Sequence, residues 1–391
     1  MIGGCDRMTT IPRYRTLFLG AGAQMKCGVG QFTRRLGETI EKLSPGSTET
    51  LTLTREEGTL PEIWQGIGIT RNIVCNFPLV AWKRLILLPL LALAIARLRG
   101  RRVILIQHEW SGLHWLRRVT YMPALLLAHR IVIFSPLVRR ELAADPLVGS
   151  TASKCVLAPL PPNIAAPAGF GESRLHRRLA AARTAGRLVI GHFGSIYPGK
   201  QPTALLDVGA VLKARGLNPL IVYIGSFIRG MDTVEQDFYA RADELGLKAD
   251  VIVTGYIASD HEVFGLLGEI DAFCYQFDEG LTARRSSILA CAQSGRPIIV
   301  TGPAEADEFD HHSRFRSLID RGAIVLVPRG APDEIYADSI VSAPKRHFVT
   351  ANFDFDGWWE DVARVVQAEF AVSPATETAP DNAAQTPPAG T

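Results

Sequence analysis

Residues 16–20 read TLFLG, an apolar run, and are followed at once by the glycine-rich stretch Gly20-Ala-Gly-Ala-Gln-Met-Lys-Cys-Gly-Val-Gly30. Phe32, Leu36, Ile40 and Leu43 then recur at the three- to four-residue spacing of one helix face. Buried strand, glycine loop and amphipathic helix in that order open a doubly wound α/β domain. More apolar strands follow at Ile73 to Cys75, Val103 to Gln107 and Arg130 to Phe134, the last leading into Ser135-Pro136, an N-cap with proline at the first helical position.

Around residues 165–186 the composition shifts to Ala, Gly, Pro and Arg, which reads as a linker with a short helix. A second α/β series then begins. Its strands read Leu188 to Phe193, Leu220 to Ile224, Val251 to Thr254, Ala272 to Tyr275, Pro297 to Thr301 and Ala323 to Val327. A closing helix is expected near Trp358 to Phe370, and the low-complexity segment from residue 373 reads as disordered. A length of 391 residues accommodates two such halves, and 35 Gly with 24 Pro suit many short loops. The expected organisation is an N-terminal Rossmann-like domain (1–168), a linker (169–186), a C-terminal Rossmann-like domain (187–350), a closing helix (351–372) and a tail (373–391).

Six cysteines stand singly, without C-x-x-C or zinc spacing, which argues against a disulfide framework and a structural metal. The first twenty residues lack a secretory apolar core, so a reducing, cytoplasmic compartment is expected. The formal charge is only +3, yet residues 83–140 hold eleven Lys/Arg against the single acid Glu109. The same stretch carries twelve uninterrupted apolar residues, Leu85 to Ala96, too few to span a bilayer at the roughly 20 that a helix needs. Its first reading is a helix packed on the sheet. A second is an amphipathic surface on anionic lipid, with Lys83, Arg84, Arg101, Arg102, Arg117 and Arg118 as the membrane or acceptor patch.

Four segments carry candidate chemistry. The loop at 20–30 has glycine pairs but not the G-x-G-x-x-G spacing, which disfavours a nicotinamide enzyme; Gly28 and Gly30 would let backbone amides approach a phosphate at a helix start. His108 directly follows the strand VILIQ, where ligands of open α/β sheets bind, and a histidine there can bond a sugar hydroxyl or move a proton. In HFGSIYPGK, Gly194 and Ser195 form a strand-end turn and Lys200 can neutralise a diphosphate. In DAFCYQFDEGLTARRSSILACAQSGRP, Glu279 precedes Arg284, Arg285, Ser286 and Ser287 at a helix start, placing a carboxylate, two guanidiniums and hydroxyls together. A structural ion pair of Glu279 with an arginine is the plainer alternative. Asp354-Phe355-Asp356 spells D-x-D but reads better as an N-cap.

Taken in order, Cys27 to Phe32, Ile106 to Glu109, Ile131 to Ser135, Pro161 to Ile164, the HFGSIYPGKQ segment, Ile221 to Gly225, Val253 to Tyr256 and Asp271 to Thr301 resemble a retaining glycosyltransferase of the GT-B fold, specifically glycosyltransferase family four. The resemblance implies two Rossmann-like domains facing a central cleft, a hexose transferred from a UDP or GDP sugar to a glycan or lipid-linked glycan, and polysaccharide or glycolipid biosynthesis. It implies no metal, no cofactor and no nucleic-acid partner. The enzyme would be cytoplasmic, with an anionic membrane face as a partner. Lys200 resembles the family's phosphate-contacting lysine, His108 its donor-sugar histidine, Gly28 and Gly30 its glycine loop, and Glu279 the first glutamate of the E-x7-E motif. Two positions depart from the pattern. Ser287 replaces the second glutamate, and Ser195 stands where many members have arginine, leaving Arg284 or Arg285 to compensate. A competing expectation is a silent GT-B scaffold that binds nucleotide or partner glycosyltransferases.

Overall fold

A computed structural model describes residues 15–21, 28–54, 56–79, 82, 85–228, 233–343 and 353–370. Lys83, Arg84 and the tail from 373 lie outside these residues. The N-terminal half alternates β1 (Thr16–Gly20), α1 (Gly28–Leu43), β2 (Thr48–Thr52), α2 (Leu60–Ile69), β3 (Asn72–Phe77), α3 (Leu87–Leu98), β4 (Arg102–Gln107), α4 (Trp115–Leu127), β5 (Arg130–Ile133), α5 (Pro136–Ala144) and β6 (Cys155–Leu157). The C-terminal half continues with α6 (Arg174–Thr184), β7 (Leu188–Phe193), α7 (Ala204–Ala214), β8 (Pro219–Ile224), α8 (Val234–Glu244), β9 (Val251–Val253), α9 (Asp260–Gly268) and β10 (Ala272–Tyr275). It ends with α10 (Ser286–Gln293), β11 (Ile298–Thr301), α11 (Ser313–Asp320), β12 (Ile324–Val327), α12 (Asp333–Ser342) and α13 (Phe355–Ala368).

Each half is one six-stranded parallel sheet, ordered β2-β1-β3-β4-β5-β6 and β12-β11-β10-β7-β8-β9. The central strands β3, β8 and β10 are buried along their whole length, the mark of sheets covered by helices on both faces. The strand order reverses between β1 and β3 and again between β7 and β10. A crevice opens at the carboxyl ends of strands at such points.

Two strands escape the apolar pattern. Edge strand β2 is TETLT, none of it fully buried, and edge strand β6 has three half-buried residues. Residues 169–186 are more than a connector: α6 fully buries Leu179, and its Arg183 bonds Asp271 at 2.9 Å and Glu269 at 3.1 Å. Helix α13 returns to the N-terminal half, where Val362 and Val366 share a fully buried cluster with Leu36, beside Phe32. Each such valine contributes about 1.5–3 kcal/mol by burial. Asp354 caps α13 by accepting from the Gly357 N–H at 2.9 Å, so the D-x-D is an N-cap.

The halves are joined by side chains as well as chain. His311 and His312 donate from Nε2 to the Phe134 and Leu160 carbonyls at 3.2 and 3.0 Å, and Arg140 meets Asp307 at 3.1 Å.

No helix among the described residues is long and apolar enough to cross a membrane. The apolar run 85–96 lies largely in α3, which buries Pro89, Ala92, Leu93 and Ala96 but leaves Leu87 and Leu98 78% and 88% exposed. Neighbouring α2 exposes Leu60, Trp64 and Ile69, and α4 exposes Trp115, Leu116, Val119 and Leu126. Arg99 lies 3.7 Å over the Trp64 ring, and Arg117 is exposed on α4. Arg102 departs from the expected basic patch, because β4 turns it to the opposite face. There it is mostly buried, 3.4 Å from Glu369. Arg101 is half-buried against the Gly68 carbonyl at 2.8 Å, and Arg118 is half-buried.

Candidate active site between the two sheets

A cleft of about 680 Å³ runs between the carboxyl ends of the two sheets. Its C-terminal wall comes from the loops after β7, β8 and β9 and the start of α10. Its N-terminal wall comes from α1, His108 and α13.

On the C-terminal wall, two glycines bring backbone close together. Gly194 has φ +119° and Gly225 φ +154°, and a Cβ on Gly225 would sit 2.1 Å from the Gly194 carbonyl oxygen. Only glycine allows that approach. A Cβ on Gly194 would lie 2.8 Å from Lys200 Nζ and 3.5 Å from Ser287 Cβ, so these three residues converge. Lys200 is buried, and burial together with the Arg285 charge lowers its ammonium to about 8. Ser195 is exposed on the same lip. The first turn of α10 adds Ser286 and Ser287, whose N–H groups the helix itself leaves unpaired.

Arg284 and Arg285 line the cleft, but Glu279 does not. Glu279 accepts from Arg284 at 2.7 Å with one carboxylate oxygen and from Arg285 with the other. Arg285 also reaches the Tyr197 hydroxyl at 3.3 Å and stacks 4.4 Å over Phe277. The carboxylate therefore clamps the two guanidiniums. The ion-pair alternative describes the placement of Glu279.

On the N-terminal wall, His108 is packed among Phe32 and Phe134, with ring centroids 5.3 and 5.0 Å away. Thr33 donates to the Val29 carbonyl at 2.9 Å, so Asn76 Nδ2 must donate to the Thr33 hydroxyl at 2.7 Å. That leaves Asn76 Oδ1 to accept from His108 Nε2 at 3.3 Å. Burial, helped by Arg284, lowers the imidazole to about 4. At neutral pH His108 is thus uncharged, with Nδ1 as an acceptor. Of the two roles open to a histidine there, the network suits a hydrogen-bond acceptor better than a proton carrier near neutrality. Gly28 lines the cleft at the start of α1, while Gly30 is turned toward Leu79, 3.8 Å from where its Cβ would stand.

Sequence reading passed over Arg34, Arg35, Asp260 and Trp359, all of which line the cleft. Arg34 and Arg35 follow Phe32 on α1, and their place beside the buried face was the available signal. Trp359 comes from the far end of the chain. Among the described lining residues, Asp260 is the single carboxylate against five cations, Arg34, Arg35, Lys200, Arg284 and Arg285. Such an excess suits a polyanionic ligand.

No protein-family model and no curated protein matches the chain. Solved structures do match. HepE of Anabaena, in complex with UDP and glucose, is 14% identical, with 91% of this chain and 100% of that one covered and a TM-score of 0.51. A glycosyltransferase from Rickettsia africae is 12% identical over 91% and 94%, at 0.51. A Listeria monocytogenes protein named as a candidate UDP-N-acetylglucosamine 2-epimerase is 10% identical over 92% and 97%, at 0.52. At these identities the likeness is one of fold. The chain is an α/β protein with two six-stranded parallel sheets in the GT-B arrangement, and it distantly resembles nucleotide-sugar glycosyltransferases.

Proposed function

We propose that the chain is a nucleotide-sugar-dependent hexosyltransferase of the family-four type, moving a hexose from a UDP sugar to a glycan or lipid-linked glycan, with retention and without a metal. The observation that carries this reading is the convergence of Lys200, Arg285, Gly194 and the start of α10 on one wall, opposite the neutral His108. HepE, similar in fold, has been solved with UDP and glucose bound, which favours UDP over GDP.

In this reading the diphosphate lies against Lys200, Arg285 and the α10 N–H groups, which stabilise the charge that develops as the bond from C1 to the β-phosphate oxygen breaks. The acceptor oxygen bonds to C1 from the same face. Its proton passes to the departing phosphate oxygen, so no protein base is required. His108 Nδ1 accepts from a hexose hydroxyl and orients the ring. Glu279 is a positioning residue that holds both arginines. The acceptor is presented at the cytoplasmic face of an anionic membrane, and the exposed apolar faces of α2, α3 and α4 beside Arg99 and Arg117 support that placement.

The test is a panel of UDP-glucose, UDP-N-acetylglucosamine, GDP-mannose and ADP-glucose, read by thermal shift and by release of the nucleotide diphosphate. Stabilisation and release with a UDP sugar support the reading. Stabilisation by no donor overturns it. A second reading, epimerisation of a UDP sugar, is favoured by the Listeria protein's equal likeness of fold. It predicts an isomerised nucleotide sugar with no hexose transferred.

A further inference from the structure

The N-terminal wall holds two hydrogen-bond donors that the described residues leave unused. Arg35 Nη1 and Trp359 Nε1 are both buried without a partner among the described residues, and both residues line the cleft. They are neighbours: the Arg35 guanidinium carbon lies 5.6 Å from the Trp359 ring centroid and 4.9 Å from that of Phe355. Two rings of α13 thus flank the guanidinium that α1 extends toward them. The acids around it do not pair with it. Glu38 is bonded by Arg34 at 3.2 Å, and Asp260 and Asp356 act on Arg35 only through longer-range attraction.

A buried donor without a partner is costly, and more so when it belongs to a charged group. Two such donors in one stacked cluster on a ligand cleft leave a site for oxygen atoms of an anion. The opposite wall already supplies Lys200, Arg284 and Arg285 for a diphosphate.

We propose that Arg35 and Trp359 bind an anionic group carried by the acceptor itself, a phosphate or a carboxylate, so that the transferred hexose goes to a charged acceptor. The inference rests on the reading that the C-terminal wall takes the donor. Arg35 Nη1 from a guanidinium beside two aromatic rings, together with the indole N–H of one of them, gives two donors that the oxygens of a carboxylate or a phosphate can both satisfy.

The experiment is isothermal titration of the full chain, saturated with UDP, with glycerol 3-phosphate and with glucuronate as probes. One of the two binds, and which one identifies the anion. Arg35→Met weakens that probe about 10-fold or more, the scale of a lost hydrogen bond to a charged group, and weakens UDP several-fold less than the probe. Arg35→Lys restores part of the loss, and Trp359→Phe, which keeps the ring and removes the N–H, weakens the probe about 3- to 5-fold. Binding of neither probe to the UDP-loaded protein overturns the inference, as does an Arg35→Met variant that loses UDP rather than the probe. If the wild-type chain fails to bind UDP, the donor reading falls, and the same probes on the unliganded chain then decide on Arg35 alone.

Discussion

The two walls of the cleft differ in how they hold their arginines nearest the buried aromatic side chains. On the C-terminal wall Arg284 and Arg285 are tied to Glu279, and Arg285 is further fixed by Tyr197 and Phe277. On the N-terminal wall the imidazole is neutral within an aromatic block, and Arg35 Nη1, beside the Trp359 ring, has no partner among the described residues. A wall with fixed charge pre-organises the site of a leaving group whose charge grows during reaction. In the proposed reaction, a wall with a neutral acceptor atom and donors that the described residues leave unused is one that a second substrate completes.

The sharpest way to break this contrast is to remove one group from each wall. Lys200→Met lowers turnover of a UDP sugar by about 10²–10³-fold, the usual cost of one donor to a developing anion. His108→Phe, which loses a hydroxyl acceptor and keeps the aromatic packing, lowers it about 10-fold. Steady-state rates of UDP release check both. Equal losses from the two variants would erase the distinction between the walls.

Glu279→Gln tests whether the charge must be fixed. The neutral amide releases at least one arginine, and turnover falls about 10-fold while UDP still binds, since the cations remain. The ion pairs are partly open to solvent, the Glu279 side chain being 30% exposed, so stability falls by only about 1 kcal/mol in urea denaturation. A wild-type rate in this variant would reduce the clamp to a surface ion pair.

The walls also differ in how far they can be read in the chain. Gly194, Lys200, Arg285 and Ser287 stand at strand ends and a helix start, where local pattern marks them, and the strands behind them are continuous apolar runs. Strands β2 and β6 left no such run, since a polar edge strand and a three-residue one bury too little to show a pattern. Arg35 and Trp359 meet only because α13 crosses back to pack on α1, a long-range contact that periodicity cannot report. Glu279 was visible, but its side-chain partners were not. The spacing that suggests a sugar ligand serves an ion pair equally well.

The outer surfaces carry the contrast further. The N-terminal half gathers exposed apolar side chains on three adjacent helices, whereas those of the C-terminal half, such as Leu217, Tyr239, Ile335 and Val341, are scattered. Replacing Leu87, Leu91 and Leu98 together by serine lowers binding to phosphatidylglycerol vesicles about 10-fold or more, by the loss of apolar burial, and leaves UDP affinity intact. Arg99→Ala with Arg117→Ala costs less, about 1 kcal/mol per charge, and that loss disappears at high salt. Cosedimentation checks both variants. Unchanged binding would return α3 to a purely structural role.

The smallest expected effect is also specific to one wall. The Lys200 ammonium titrates at about 8 in the folded chain, against an ordinary value of 10.5. Between those values the unfolded chain holds more protons than the folded one, so this residue's contribution makes stability rise with pH across that window. UDP binding runs the other way, because the diphosphate requires the ammonium: affinity holds below pH 8 and weakens a few-fold above it, roughly as the charged fraction falls. Lys200→Arg, whose guanidinium stays charged, flattens that limb. His108, with its imidazole near 4, adds no limb between pH 5 and 8. A limb near pH 8 that survives Lys200→Arg would move the titrating group to another residue and take from the C-terminal wall its buried charge.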